Sequence, residues 1–122
     1  MDKRRRIVGL GLLAVAGLAM AQAPVSVAPG FTINDTAGKP VSLADQRGRF
    51  VVLEWTNPEC PFVRKHYDSR NMQTLQKEWR AKGVVWLSIN STSASHAEYK
   101  TGDAMASWMR GHGADQTATL ID

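Results

Sequence analysis

The sequence has one cysteine, Cys60, and this scarcity limits what the chain can do. A single thiol cannot form a disulfide within the chain, so no disulfide framework stabilises the fold. No proline follows Pro61, and there is no Gly-rich loop of the kind that cradles phosphate groups. The longest apolar run, Ile7–Met20, has 14 residues, fewer than the roughly 20 that a membrane-spanning helix needs. These absences argue against a disulfide scaffold, a phosphate-loop nucleotide site and a membrane span.

The first 21 residues have the pattern of a secretory signal peptide. The basic segment Lys3–Arg6 precedes the apolar run, and Ala19-Met20-Ala21 supplies a small-residue cleavage site, with Ala21-Gln22-Ala23 as the second choice. We therefore expect an exported protein, periplasmic or extracellular, whose mature domain is residues 22–122. No lipid-bearing cysteine follows the cleavage site, so we expect no stable membrane anchor after the signal is removed.

The basic charge of the chain belongs mostly to this signal. The whole sequence has a formal net charge of +4. Removing residues 1–21 takes away four of the 15 basic residues and one of the 11 acidic residues, which leaves +1. A nearly neutral domain gives no electrostatic reason to bind nucleic acid or a membrane surface. We expect neither partner.

The hydrophobic pattern of the mature chain predicts one α/β domain built around a βαβ unit. Met72, Leu75 and Trp79 have the spacing of a buried helix face, and Asp103 is a candidate N-cap for the last helix. The expected elements are strands at Phe31–Ile33, Lys39–Leu43, Phe50–Trp55, Val84–Ile89 and Thr117–Ile121, a helical region at Pro61–Lys82 that breaks near Asp68–Asn71, and a helix at Ala104–Arg110.

Two prolines define the position of the cysteine. Phe50–Trp55 ends in a turn containing Pro58, and Pro61 follows Cys60 directly. Pro61 suits the first position of a helix, where its missing N–H costs nothing. Cys60 then occupies the N-cap, where the helix dipole and the free amides of the first turn favour a thiolate.

Charged neighbours act on this thiol in both directions. Arg64, one helical turn on, and Lys65 favour the thiolate, whereas Glu59 opposes it. Glu54 lies inside the apolar strand, six residues before Cys60, where a carboxylate is costly unless it is paired or protonated. It either exchanges a proton with the thiol or forms a salt bridge at the strand's exposed end. For Cys60 itself the competing interpretation is an inert buried thiol.

Histidine gives no comparable signal. His66, His96 and His112 have no ligand spacing with Cys60, so we expect surface histidines and no metal site.

The mature chain resembles the thioredoxin-like superfamily, in its redoxin branch of alkyl hydroperoxide reductases and thiol-specific antioxidant proteins. The segments that carry the resemblance are Ala28–Ile33, Asp35–Leu43, Asp45–Arg49 and Val51–Phe62. The resemblance covers about Ala28 to Asp122 and implies a thioredoxin-like α/β fold, a central mixed sheet flanked by helices. It also implies a role for Glu54, because thioredoxins have a buried acid six residues before the nucleophile.

The chain departs from its relatives at several site positions. Thioredoxins carry Cys-x-x-Cys and copper-delivery relatives Cys-x-x-x-Cys, but here Val63 and Arg64 occupy those positions. Dithiol exchange within one site is therefore excluded. Peroxiredoxins have Thr or Ser three residues before the cysteine and Pro seven before it, where this chain has Asn57 and Leu53, with Thr56 one place off. A one-cysteine variant is what remains.

The C-terminal part of the family pattern is absent. The family fold closes with a β-hairpin and a helix, and a cis-proline precedes that hairpin, whereas this sequence stops at Leu120-Ile121-Asp122. We expect a truncated sequence without the final hairpin and helix. The strand Val51–Trp55 then becomes an unprotected sheet edge.

Together with the signal-peptide pattern, the resemblance implies an exported thiol-dependent oxidoreductase of redoxin or peroxiredoxin type, an antioxidant acting in redox homeostasis without a cofactor. The substrate would be a peroxide or a protein disulfide, and an external thiol or thioredoxin-type reductant would resolve the oxidised cysteine. The alternative is a non-catalytic thioredoxin-fold binding module with a degenerate site. The expected site residues are the nucleophile Cys60, Arg64 favouring its thiolate, Glu54 managing a proton, and the loop residues Thr56, Asn57, Pro58 and Pro61.

Overall fold

The structure, a computed structural model, describes residues 26–122. The predicted signal peptide lies outside the described residues. Within them, no helix is long and apolar enough to cross a membrane. The chain forms β1 (Thr32–Asp35), β2 (Pro40–Ser42), a 3-10 turn (Ala44–Gln46), β3 (Val51–Trp55), α1 (Pro61–Asp68), α2 (Asn71–Ala81), β4 (Val85–Asn90), α3 (Gly102–Gly111) and β5 (Ala118–Ile121).

The five strands form one mixed sheet in the order β2-β1-β5-β4-β3. β3 and β5 flank β4 in parallel, and β1 pairs antiparallel with both β2 and β5. The parallel pair β3 and β4, joined through α1 and α2, is the predicted βαβ unit. The mixed α/β architecture predicted from the sequence is confirmed.

The core centres on β4, all six residues of which are buried. Val85, Leu87 and Ile89 pack with Leu120 of β5, and half-buried apolar side chains of β1 and β3 surround them. The apolar pattern of Phe50–Trp55 predicted a buried strand, but β3 is only half-buried because it lies at the sheet edge. The central buried strand is β4.

The outer side of β3 has no strand partner among residues 26–122. The Phe50 carbonyl accepts from Val85 N–H at 2.9 Å, and Thr56 N–H donates to the Ile89 carbonyl at 2.8 Å. The backbone N–H and C=O groups of successive residues point to opposite sides of a strand. Those of Val51, Leu53 and Trp55 therefore point away from β4. The edge contains no lysine, proline or bulge of the kind that protects edges.

The break between α1 and α2 lies where the sequence predicted it, but the buried face of α2 differs from the prediction. Arg70 joins the helices in the left-handed region, with φ 61°. The buried α2 residues are Gln73 and Gln76, whereas Trp79 is 43% exposed. The two amides are buried because they bond to polar partners beneath the helix, including the Tyr67 carbonyl at 2.9 Å from Gln73 Nε2.

The cap of α3 also differs from the prediction. The helix begins at Gly102, and Thr101 is its N-cap, with Oγ1 accepting from Ala104 N–H at 3.3 Å. Asp103 lies in the first turn, where its charge complements the helix dipole. Gly102 approaches the backbone directly after β1 so closely that an added Cβ would lie 2.7 Å from the Thr36 carbonyl oxygen.

Candidate active site

Cys60 occupies the N-cap of α1, as the two prolines predicted. Its backbone is extended (φ −71°, ψ 122°), and Pro61 is the first helical residue. The Asn57 carbonyl accepts from Cys60 N–H at 3.0 Å, and the Cys60 carbonyl accepts the first helical bond from Arg64 N–H at 3.0 Å. The thiol makes no capping hydrogen bond. It is half-buried at the carboxyl end of β3, beside the free amides of the helix N-terminus.

The thiol opens into a shallow apolar cavity of about 280 Å³. Trp55, Val63 and Ile89 supply its apolar wall, and Ser91 and Thr92 supply polar groups from the segment after β4. Thr56 also lines the cavity and is only 4% exposed. Its hydroxyl has no hydrogen-bond partner among the described residues. A buried hydroxyl without a partner is costly, and because this oxygen is itself buried, it presents no polar surface to the cavity.

Asn57 fixes the turn and ties it to the loop of residues 91–101, which connects β4 to α3. Its side-chain oxygen accepts from Glu59 N–H at 2.8 Å. Its Nδ2 donates to Glu98 Oε2 at 3.0 Å and to Thr92 Oγ1 at 3.4 Å. Asn57 thus stands where peroxiredoxins have Thr or Ser, and its amide is already used to hold the turn.

A second link joins the same turn to the same loop. Lys100 Nζ lies 2.8 Å from Glu59 Oε1. The hydrogen bond and the charge of Lys100 hold the pKa of the Glu59 carboxyl below its usual value, and the charge of Arg64 adds to this. Glu98 and Lys100 were not predicted as site residues, because they lie about 40 residues from the turn in the sequence. Their polar character within a loop without periodicity is the only signal the sequence offers for them.

Arg64 and the two site prolines occupy the positions that the sequence predicted. Arg64 is exposed one turn into α1, and no carboxylate of residues 26–122 lies within ion-pair distance of it. Pro58 is buried beneath the turn, and Pro61 is exposed at the helix start. Arg64 is therefore free to interact with an anion at Cys60.

Glu54 is half-buried and accepts four side-chain hydrogen bonds. Tyr67 Oη donates to Oε1 at 2.8 Å. Trp86 Nε1 at 2.7 Å, Ser88 Oγ at 3.0 Å and Gln76 Nε2 at 3.2 Å donate to Oε2. Burial and the nearby Glu54 carboxylate raise the pKa of Tyr67, so its hydroxyl remains a donor. The carboxylate is stabilised by neutral donors from α1, α2 and β4, and not by the salt bridge considered above.

Each histidine is occupied by local contacts. Asn71 bonds to the His66 ring at 3.0 Å, Glu98 N–H donates to the His96 ring at 3.2 Å, and the His112 ring contacts the Trp108 carbonyl at 2.8 Å. In the described part of the chain no group of three or more His, Cys, Asp or Glu side chains could hold a metal ion.

Comparison with known protein families identifies the chain. The family model of AhpC/TSA matches residues 25–122, nearly all of the predicted mature domain. The chain belongs to the AhpC/TSA family. This assignment confirms the resemblance to the redoxin branch. No curated protein matches the chain.

Solved structures share the thioredoxin-like fold with this AhpC/TSA chain. An uncharacterized conserved protein from Geobacillus kaustophilus is 24% identical with a TM-score of 0.67, over 77% of this chain and 49% of its own. A thioredoxin-family thiol:disulfide interchange protein from Chlorobium tepidum is 22% identical with a TM-score of 0.64. The match covers 84% of this chain and 63% of the Chlorobium protein.

A secreted disulfide oxidoreductase from Mycobacterium tuberculosis, homologous to E. coli DsbE, is 23% identical with a TM-score of 0.58. The match covers 75% of this chain and 60% of the Mycobacterium protein. The chain thus spans about half to two thirds of the length of these three structures. The likeness establishes a thioredoxin-like fold.

Proposed function

We propose that this protein is an exported thiol-dependent oxidoreductase of redoxin type in which Cys60 is the nucleophile. The observation that carries the proposal is the position of the thiol, half-buried at the N-cap of α1 and open to an apolar cavity. Helix N-termini favour thiolate, which is the reactive form of cysteine. The secreted relative from Mycobacterium tuberculosis supports export, in agreement with the signal pattern.

With a peroxide substrate, the thiolate sulfur attacks one peroxide oxygen and the O–O bond breaks. The leaving oxygen takes a proton, and Cys60 becomes a sulfenic acid. Because the chain has no second cysteine, an external thiol attacks this sulfur, releasing water and forming a mixed disulfide. A second external thiol then restores Cys60 and leaves as the oxidised disulfide.

The surroundings of Cys60 favour a protein disulfide as a second candidate substrate. Trp55 is 63% exposed and Phe62 is 76% exposed, and they lie on either side of the cysteine in the chain. Exposed aromatic side chains beside a reactive thiol suit a polypeptide partner better than a small peroxide. The thiolate then attacks one sulfur of the partner disulfide, the other sulfur leaves as a thiolate, and a mixed disulfide forms. A non-catalytic binding module would use the same aromatic surface.

Two side chains would assist the reaction. Arg64 stabilises the thiolate and the developing negative charge of the leaving group. Glu54 exchanges the thiol proton with Cys60. Because the four side chains that donate to Glu54 do not include Cys60, this proton moves through a bridging water molecule.

The test is turnover by the full chain with dithiothreitol or thioredoxin as reductant. Peroxide and an insulin-type protein disulfide are offered separately, and Cys60→Ser is the control. We expect turnover of at least one substrate by the parent and none by Cys60→Ser. Absence of turnover with both substrates, together with tight binding of a polypeptide, would favour the binding module instead.

A further inference from the structure

Glu59 poses an electrostatic problem for the proposed nucleophile. It precedes Cys60 directly, and an adjacent carboxylate disfavours formation of a thiolate. It also competes for Arg64, whose charge acts on the Glu59 carboxylate. An unpaired Glu59 would therefore both repel the thiolate and compete with it for Arg64.

Lys100 supplies the compensating charge from a distant part of the chain. Its Nζ lies 2.8 Å from Glu59 Oε1. The bond between Asn57 and Glu98, 3.0 Å long, fixes the same loop to the same turn two residues earlier. Two links between one turn and one loop hold Lys100 over Glu59 and restrict the pair to this geometry.

We propose that Lys100 is a positioning residue for Cys60, which keeps the thiol reactive by neutralising Glu59 and leaving Arg64 free. This inference rests on the proposed function of Cys60. It assigns to the loop of residues 91–101 a role in tuning the nucleophile, in addition to lining its cavity.

The charged groups around the thiol are few enough for the effect to be measured. Arg64 and Lys65 lie on α1, Glu59 lies in the turn, and Glu98 and Lys100 lie in the loop. Glu98 already accepts a hydrogen bond from Asn57. The charge that can be changed without breaking that bond is therefore that of the Glu59–Lys100 pair. Removing Lys100 leaves the negative charge of the exposed Glu59 unneutralised, which should lower the thiolate population of Cys60 by about two- to fivefold.

The experiment measures the rate of Cys60 alkylation by iodoacetamide at pH 7 in the full chain. We expect Lys100→Met to slow alkylation by about two- to fivefold, and Lys100→Arg to retain the parent rate. The double variant Glu59→Gln/Lys100→Met should return close to the parent rate, because no uncompensated charge remains. In about 1 M salt, where the Debye length is about 3 Å, the loss in Lys100→Met should shrink.

A matched control is Lys82→Met, which removes an exposed lysine at the C-terminal end of α2 whose Nζ lies 2.7 Å from Glu78 Oε1. It should leave alkylation unchanged. A reactive parent with an equally reactive Lys100→Met would overturn the inference and leave the proposed function standing. A double variant as slow as Lys100→Met would also overturn it, since loss of loop structure would then explain the effect. An unreactive parent would overturn the proposed function, and the inference with it.

Discussion

Replacing Glu54 with glutamine tests the most densely bonded group near the candidate site. The carboxylate accepts from Tyr67, Trp86, Ser88 and Gln76 at 2.7–3.2 Å. Glutamine preserves the shape of the side chain but removes the charge and replaces one acceptor oxygen with an NH₂ group. In place of Oε2 that group would face the N–H groups of Trp86 and Gln76, and in place of Oε1 it would force the Tyr67 hydroxyl to accept instead of donating.

The cost follows from the bonds that change. A hydrogen bond to a charged group contributes about 1.5–3 kcal/mol and a neutral one about 0.5–1.5 kcal/mol, so each bond loses about 1 kcal/mol. Four bonds give a loss of about 4 kcal/mol, which relief from burying a charge partly offsets. We expect the free energy of unfolding to fall by about 2–4 kcal/mol.

Urea unfolding of the full chain measures this loss, and Glu78→Gln is the matched control. Glu78 is exposed and makes one ion pair with Lys82, so its substitution should cost less than about 1 kcal/mol. Equal stability losses in the two variants would refute the network argument. A second readout, the pH profile of Cys60 alkylation, should shift in Glu54→Gln. Superimposable profiles would remove Glu54 from the proposed mechanism.

Three further predictions concern stability and association. Because the pKa of Tyr67 is raised, the folded state loses stability as the pH rises above the ordinary tyrosine value of about 10; urea unfolding at increasing pH should show a smaller loss in Tyr67→Phe. Gly102→Ala should lower the melting temperature, because its Cβ would meet the Thr36 carbonyl at 2.7 Å, whereas Gly111→Ala has open space and should not. The open β3 edge should make residues 22–122 self-associate and unfold with low cooperativity, and Trp55→Lys, at the exposed end of β3, should reduce the association; a monomeric sedimentation profile with a cooperative thermal transition would contradict this.

Local signals in the sequence predicted much of the fold. Proline at the first helical position fixed Cys60 at the N-cap of α1, because the effect depends on neighbouring residues alone. The break between α1 and α2 and the β3–β4 unit were also local predictions and are confirmed. The family resemblance supplied the thioredoxin-like fold, which the AhpC/TSA match and the structural neighbours confirm.

Properties that depend on distant contacts could not be predicted. Hydrophobic spacing placed Trp79 on the buried face of α2, but Gln73 and Gln76 are buried there because polar partners lie beneath them. The same pattern could not distinguish an edge strand from a central one, since both are apolar. Lys100 reaches Glu59 through a loop without periodicity, and no pattern in a single sequence encodes that contact.

The reactivity of Cys60 in the folded full chain is the measurement that tests the account most directly. A free thiol with a pKa of about 8.5 is only about 3% thiolate at pH 7. We predict that iodoacetamide modifies Cys60 faster in the folded protein than in denaturant at pH 7, and that peroxide produces a dimedone-reactive sulfenic acid that Cys60→Ser lacks. A thiol that resists alkylation until the protein is denatured would be structural, and the oxidoreductase proposal would then be wrong.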